Sequence, residues 1–398
     1  MSDHSHAPTP PAPENFDPKH AGGLPKILLG AGVGGIAITL LGFLFDHQQV
    51  AHSWLFGLTY FFTICVGALF WTCLHHATDA EWSVVVRRQL ENVARLLPYF
   101  ALFFIPILFV KTDLWRWWNM PAGEDPILEE KAGYLNHTFF YVRLVFYFVM
   151  LGWVSTSLFK RSTAQDKDGA AKHTLIMRKF GIGGIPALAV CLTFAAVDWL
   201  MALDHHWFST MWGVYIFAGA AGSSMSLLVL IITALKRQGY LHIVNDEHYH
   251  IMGKFMLAFT IFWAYIGFDQ YMLIWYANIP EETIYFRLRN TESWWYLSQF
   301  LVVGRFFLPF PVLLFQFIKK TKIINGVACW ILLMQLLDIY VVILPSLHRT
   351  GVSLSLFDIT SVVGIGGILG WLFFRHLGES NLFPMRDPRL LGSLKLTN

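Results

Sequence analysis

Ten runs of predominantly apolar residues, each about 20 residues long or longer, alternate with short polar segments. Because about 20 apolar residues are needed to cross the hydrocarbon core of a bilayer, each run predicts a transmembrane helix. The pattern therefore predicts an all-α, polytopic membrane protein. The predicted helices cover residues 26–46, 53–75, 97–115, 137–160, 183–204, 210–235, 251–277, 294–318, 324–344 and 353–375.

Outside these runs the chain predicts two tails around one membrane domain at residues 25–376. The first 24 residues are rich in proline, histidine and polar residues, a composition that cannot form a packed core and predicts a disordered tail. Residues 377–398 form a short C-terminal tail. One connecting segment, residues 79–98, has apolar residues at helical spacing with arginines between them, which favours a helix lying in the membrane interface.

The composition also indicates a membrane protein, and the distribution of charged residues predicts its orientation in the membrane. The chain is 55% apolar and only 14% charged, whereas a soluble domain has roughly a quarter of charged residues. The net charge of +3 is too small and too scattered to indicate a nucleic-acid partner. Twenty-one lysines and arginines fall on the side of the two termini and six on the other. The positive-inside rule therefore predicts that both termini are cytoplasmic.

Several ionisable residues lie at bilayer depth. Asp198, Asp269 and Asp338 are each placed about two-thirds of the way towards the outer side, Asp358 lies in the same half, and Arg305 lies at mid-depth. A charged side chain at this depth costs several kcal/mol, so it is by default paired, exposed to a water cavity or functional. Four acids facing one arginine exceed what pairing requires, which favours a proton path.

The predicted seventh helix carries a polar stripe. Tyr265 and Asp269 are one turn apart, and Lys254 lies within about 60° of their face. Asp198 and His205 are seven residues apart and share a face of the fifth helix. The alternative is that Arg305 neutralises some acids and the rest only hold helices together. The candidate proton path comprises Asp198, Asp204, His205, Lys254, Tyr265, Asp269, Arg305, Asp338 and Asp358.

Histidines and cysteines indicate that the chain carries no redox centre and no metal. A buried b-type haem needs two axial ligands facing each other inside the bundle, but the histidines fall at helix ends or in loops. The four cysteines have no motif spacing and are interpreted as small core residues. They are Cys65, Cys73, Cys191 and Cys329.

Four segments resemble one family. They are "EWSVVVRRQLE" (81–91), "DWLMALDHHWFSTMWGVYIFAG" (198–219), "KFMLAFTIFWAYIGFDQYMLIWYANIPEE" (254–282) and "LDIYVVILP" (337–345). The chain resembles the ten-helix integral subunits of alternative complex III, the bacterial quinol:cytochrome c oxidoreductase, within the polysulfide-reductase membrane-subunit (NrfD-like) family. Of the two paralogues in that complex, C and F, the length is more similar to F.

The resemblance implies two four-helix bundles, helices two to five and six to nine, with helices one and ten peripheral. It implies a multi-pass subunit of the bacterial inner membrane that anchors haem c and iron–sulfur subunits, next to the paralogous membrane subunit and smaller membrane subunits. A quinol, expected to be menaquinol, would be oxidised in the complex, with the quinol site mainly in the other paralogue. It also implies a proton path at Asp198, Asp204, His205, Tyr265 and Asp269.

The sequence departs from the family pattern at two positions. Arg305 and Gln335 stand where histidine is expected, and neither side chain titrates near neutral pH. Two other functions remain open. Prolines in helices three and eight are compatible with the broken helices of a secondary transporter, and a purely structural scaffold would need only satisfied internal ion pairs.

Overall fold

The computed structural model describes residues 11–121, 123–319 and 322–397, and these residues form helices with no strand among them. Ten helical segments are long and apolar enough to cross a membrane. Their number and composition confirm the predicted multi-pass membrane protein. In chain order they are α1 Leu24–Leu44, α2 His47–Ala77, α3 Glu81–Phe109, α4 His137–Asp168, α5 Ala171–Leu203, α6 Trp212–Arg237, α7 Asp246–Ala277, α8 Glu292–Leu314, α9 Ile323–Ser346 and α10 Leu356–Leu377.

Side chains just before the helices explain where several of them begin. The Asp46 carboxylate accepts a hydrogen bond from the Gln49 amide at the start of α2, and the Asn136 side chain does the same for Phe139 in α4. Such caps satisfy amides that have no partner within the helix. Because the first turn is fixed in this way, these helices begin close to the end of a connecting segment.

Helices α2 and α6 pack against each other at the centre of the molecule. The Trp71 indole donates to the Ala221 carbonyl across the contact, and Gly67 has no room for a side chain against the backbone of Ala220. Helix α2 also packs on α5, α9 and α10, while α6 packs on α5, α7 and α9. Helix α1 contacts mainly α10, so these two lie together at one edge.

Two helices are interrupted by prolines. In α3, the regular helix Val84–Ala94 is followed by short turns around Pro98 and Pro106. In α8, a π-helical stretch at Val303–Phe307 precedes Pro309. Proline has no amide hydrogen, so the carbonyl four residues earlier loses its helical partner and the local winding changes.

We call the end of the bundle formed by residues 14–22, 79–83, 166–178 and 238–246 together with residues 378–397 the terminal face. The opposite end, which we call the loop face, includes the short helices Pro126–Lys131 and Pro280–Arg289. Contacts within each set define these faces: Asp17 and His20 meet Tyr240 at one end, and Asp125 meets His205 at the other.

The sequence predicts a disordered N-terminal tail, but part of this segment packs against the rest of the protein. The Leu382 amide donates to the Glu14 carbonyl, the Leu241 amide donates to the Glu14 carboxylate, and Phe16 is only 3% exposed. A buried phenylalanine and these long-range bonds hold the segment in place, which the composition did not reveal. Residues 1–10 of the predicted tail lie outside the described residues.

Residues 84–94 also differ from the prediction, because they are buried in the protein and do not lie along the membrane surface. The C-terminal segment folds back over them: Leu382 and Phe383 are fully buried, and Asp387 pairs with Arg87. The arginines that suggested contact with lipid headgroups instead meet carboxylates of this chain.

Candidate functional site

A buried ion pair joins α4 to α5. The Arg143 guanidinium donates to both oxygens of Asp198, each at 2.8 Å, and the Tyr147 hydroxyl donates to Asp198 at 2.7 Å. Asp198 is 1% exposed. A two-point arginine–carboxylate pair fixes the orientation of both planar groups. The negative charge of Asp198 is therefore compensated inside the bundle.

A second buried pair joins α8 to α9. The Arg305 guanidinium donates to Asp338 at 2.9 Å and also to Gln335. Asp338 further accepts hydrogen bonds from the Tyr215 hydroxyl and, at 3.1 Å, from the Trp263 indole. The carboxylate is thus held by side chains from α6, α7 and α8.

The two pairs follow the same plan. Each arginine comes from the helix that precedes the aspartate's helix, and a tyrosine donates to each carboxylate. The expectation that four acids face a single arginine is wrong, because Arg143 lies at depth in α4 and compensates Asp198. Searching the apolar runs for every internal arginine, and not only for acids, would have found it in "YVRLVFYF".

Asp358 lies in the first turn of α10 and is part of a helix cap. One of its oxygens accepts from the Ser355 amide at 2.9 Å, and the other accepts from the Ser53 hydroxyl at 2.5 Å and the Gln49 amide at 3.1 Å. Gln49 is in turn 2.7 Å from His348 on the loop face. These bonds give Asp358 a structural role in joining α10 to α2.

The polar stripe of α7 faces outwards. Lys254 is exposed, Tyr265 is 62% exposed, and the partly exposed Asp269 makes no hydrogen bond or ion pair with a described residue. Apolar neighbours on this face, such as Phe268 and Trp275, are equally exposed. The structure therefore does not bring Lys254, Tyr265 and Asp269 together with Asp198 or Asp338 inside the molecule.

A cavity of about 550 Å³ lies between α6, α7, α8 and α9 on the side of the loop face. Trp207, Trp212 and Tyr285 form an aromatic wall, with Trp207 stacked on Tyr285 at a ring-centre distance of 4.0 Å. Asp338 and Arg289 are the charged groups in the lining. The cavity is thus largely apolar, with the second buried ion pair at its wall.

Asp204, another residue of the predicted path, lies near Arg289 of the cavity lining. Burial lowers the pKa of Arg289, while the charge of Asp204 acts in the opposite direction. The Arg289 guanidinium donates to the carbonyls of Val341 and Val342, at 3.0 and 2.6 Å. The Asp204 carboxylate itself accepts a hydrogen bond from the His206 amide at 3.1 Å and is not among the described residues that line the cavity.

His205 has a different environment from the one predicted. It follows the regular part of α5, which ends at Trp199, and its Nε2 is 2.8 Å from the Asp125 carboxylate. Asp198, by contrast, meets Arg143 within the bundle. Continuing the helix to residue 205 had placed the two side chains on one face, but the chain turns after residue 199.

A buried polar cluster at the terminal face was not predicted. His75, His76, Arg87, Arg88 and Glu91 are each at most 2% exposed, and Glu91 lies 3.4 Å from Arg87 and 3.0 Å from Arg88. Outside the cluster, Asp387 and Asp166 compensate the two arginines. Only the tertiary fold brings these partners together from residues 75 to 387.

Comparison with known proteins adds no identification: no family model and no curated protein matches the chain.

Proposed function

We propose that the protein is an integral membrane subunit of a respiratory quinol:cytochrome c oxidoreductase in a bacterial inner membrane. In this proposal, α2–α5 and α6–α9 form two four-helix bundles, with α1 and α10 peripheral and both termini cytoplasmic. The chain anchors subunits that carry haem c and iron–sulfur clusters, and it conducts protons. Support comes from the family resemblance of four segments and from the polar chemistry of α6 to α9.

The observation that carries the proposal of a multisubunit complex is the Asp269 carboxylate, which lies on an outward face and has no partner among the described residues. An ionised aspartate in lipid costs roughly 3 kcal/mol on an insertion scale. The exposed Tyr265 on the same face adds a second polar group. A neighbouring transmembrane helix that offers a hydrogen-bond donor or cation would remove this cost. We therefore assign the α7 face to a paralogous membrane subunit.

The proposed proton step uses the second ion pair. Asp338 lies at the cavity wall and accepts a hydrogen bond from Tyr215, so water in the cavity would bring protons to a carboxylate beside a permanently charged arginine. Carboxylate, tyrosine and water are usual members of proton relays. Protons would leave past Arg289 and Asp204 at the loop face. Asp338 is thus the central residue of the proposed path.

The first experiment is purification of the tagged chain from its native host in a mild detergent, with a reduced-minus-oxidised spectrum and mass spectrometry. We expect haem c and iron–sulfur subunits to co-purify. Asp269→Asn should lower the yield of the neighbouring membrane subunit, whereas the control Leu273→Val, one turn away on the same exposed face, should not. A chain that purifies alone and colourless would contradict the proposal.

The proton step has a separate test in the assembled complex. Asp338→Asn should lower the number of protons released per electron while quinol oxidation continues, and Leu273→Val, at an exposed α7 residue outside the cavity lining, should keep the original ratio. An unchanged ratio in fully assembled Asp338→Asn complex would limit the chain to a structural role.

One observation favours an alternative function, that of a secondary transporter. The π-helical break of α8 contributes Phe306 and Phe307 to the cavity, and broken helices beside a cavity are typical of transporter sites. Purification of the chain alone, together with uptake of a solute into vesicles, would support this alternative.

A further inference from the structure

We propose that Asp125, His205 and His206 bind one first-row transition-metal ion, with Zn²⁺ the best fit, at the loop face. The Nε2 atoms of His205 and His206 lie 2.8 and 2.6 Å from the same oxygen, Oδ2 of Asp125. All three ligand atoms are within 4.8 Å of one another. Ligands of one ion must converge in this way, and here they come from two loops 80 residues apart.

The carboxylate is oriented for this role. Asp125 caps the short helix Pro126–Lys131, with Oδ1 accepting from the Ile127 amide at 2.9 Å and, more weakly, from the Leu128 amide at 3.4 Å. The other oxygen, Oδ2, therefore points at the imidazoles.

The backbone around the two histidines is fixed as well. The Lys131 ammonium donates to the His205 carbonyl at 2.5 Å, and the His206 amide donates to the Asp204 carboxylate at 3.1 Å. Asp204 and Asp125 both carry negative charge near the site, while Lys131 is the cation that opposes binding. The local balance still favours an added dication.

Access to the site is from one side. The side chains of His205 and Asp125 are 6% and 12% exposed, whereas that of His206 is 41% exposed. An ion would enter beside His206, and a water molecule would complete a tetrahedral set on that side. The arrangement has three protein ligands and one open position.

The donor set selects the metal. Two imidazole nitrogens and one carboxylate oxygen suit Zn²⁺, which takes nitrogen at about 2.0–2.1 Å and oxygen at about 2.0–2.2 Å, whereas Mg²⁺ and Ca²⁺ prefer oxygen ligands. Ligand atoms around tetrahedral zinc are about 3.3 Å apart, so the two histidine–aspartate separations of 2.8 and 2.6 Å would open by about 0.5–0.7 Å. Each imidazole would carry its proton on Nδ1. The bound ion would tie the 125–131 segment to the loop between α5 and α6.

The test uses the full-length, metal-stripped protein in detergent and Zn²⁺ alone, followed by calorimetry in the presence of a weak competing chelator. We expect one Zn²⁺ per chain at this site. Loss of a direct ligand should weaken binding by about 100-fold or more, since loss of even an indirect partner costs about 10–100-fold. His206→Asn is the primary variant, because its half-exposed side chain can be replaced without unfolding the chain. Asp125→Asn is the second.

Controls separate this site from other histidines. His47→Asn alters an exposed histidine that also lies at the loop-face end of the bundle and should leave affinity unchanged. The double variant His205→Asn/His206→Asn measures the background from His4, His6 and the rest of the chain. Co²⁺ bound to the unmodified protein should show the visible absorption of a tetrahedral complex. Binding no tighter than that of the double variant, or equal weakening by His47→Asn, would overturn the proposal.

Discussion

At the scale of single residues, the Arg143–Asp198 pair should be highly sensitive to the loss of either partner. Arg143→Gln leaves an unpaired carboxylate in an apolar environment, and breaking one side of a buried pair typically costs about 3–5 kcal/mol. We expect a clearly lower thermal unfolding midpoint in detergent, with a similar loss for Asp198→Asn. Differential scanning fluorimetry of the purified variants measures both.

The double variant Arg143→Gln/Asp198→Asn provides the control, because it removes both charges together. It should be more stable than the sum of the two single losses predicts, which is the signature of direct coupling. Additive losses would show that the two side chains act independently and would contradict the pairing seen at 2.8 Å.

The two buried ion pairs also show which residues could be predicted from the sequence and which could not. Depth in an apolar run was enough to single out Asp198 and Asp338 as special, because burial of charge is costly anywhere in lipid. Their partners could not be identified from spacing, since Arg143 and Asp198 are 55 residues apart. Helical periodicity placed Tyr265 and Asp269 on one face, but periodicity alone does not say which face points inwards.

At the scale of helices, glycines let α1 and α10 approach closely. A methyl group at Gly35 would lie 2.7 Å from the backbone of Gly364 and Thr360, whereas one at Gly34 would meet nothing within 4 Å. Gly35→Ala should therefore push the helices apart and cost about 1–3 kcal/mol. Gly34→Ala, the matched control, should be neutral or slightly stabilising because alanine favours helix.

Hydrogen exchange of α1 is the appropriate measurement for this pair of variants. Gly35→Ala should accelerate exchange in α1 and leave α6 unchanged, while Gly34→Ala should not accelerate it. Equal behaviour of the two variants would argue against close packing of α1 on α10.

The C-terminal segment should be released when Asp387 is neutralised. Burial alone would raise the pKa of Asp387, but the Arg87 and Arg389 guanidiniums outweigh it and hold the pKa below its usual range. A group with a lowered native pKa stabilises above its unfolded value, about 3.9, and loses that effect as the pH falls through the native value. Docking should therefore persist to about pH 4 and weaken below it.

A nitroxide at Leu391→Cys, an exposed position in the short helix Leu390–Leu394, reports this release as line narrowing in the electron paramagnetic resonance spectrum. Asp387→Asn should narrow the line already at neutral pH. Glu379→Gln, which removes a more exposed pair with Arg95, should have little effect. A spectrum that is independent of pH in the unmodified segment would contradict the role given to Asp387.

Most helices could be located from the sequence because long apolar runs have few alternative structures, and α6, α9 and α10 lie within about four residues of their predicted bounds. The segment 79–98 was misjudged for a specific reason. Its arginines look suited to a membrane surface until Asp387 and Asp166 are known to lie beside them. The amphipathic pattern of this segment therefore belongs to a buried helix whose arginines pair with carboxylates of the same chain.

At the scale of the whole molecule, the terminal face and the loop face allow a test of the membrane topology. In a cysteine-free background, Lys19→Cys, Lys167→Cys and Lys395→Cys should react with a membrane-impermeant maleimide from one side only. Asn119→Cys and Arg349→Cys should react from the other side only. The charge distribution predicts that the first group is cytoplasmic. Mixed reactivity within either group would contradict the ten-span path.

Because α1 packs mainly on α10, α1 reaches its partner only after the eight helices between them have been made. Through most of its synthesis the chain must keep a glycine-lined groove of α1 in contact with lipid or with an insertion factor. Premature termination anywhere before residue 356 would leave that groove open permanently. Quality control in the membrane could therefore recognise a chain that stops before α10 by the open groove of α1.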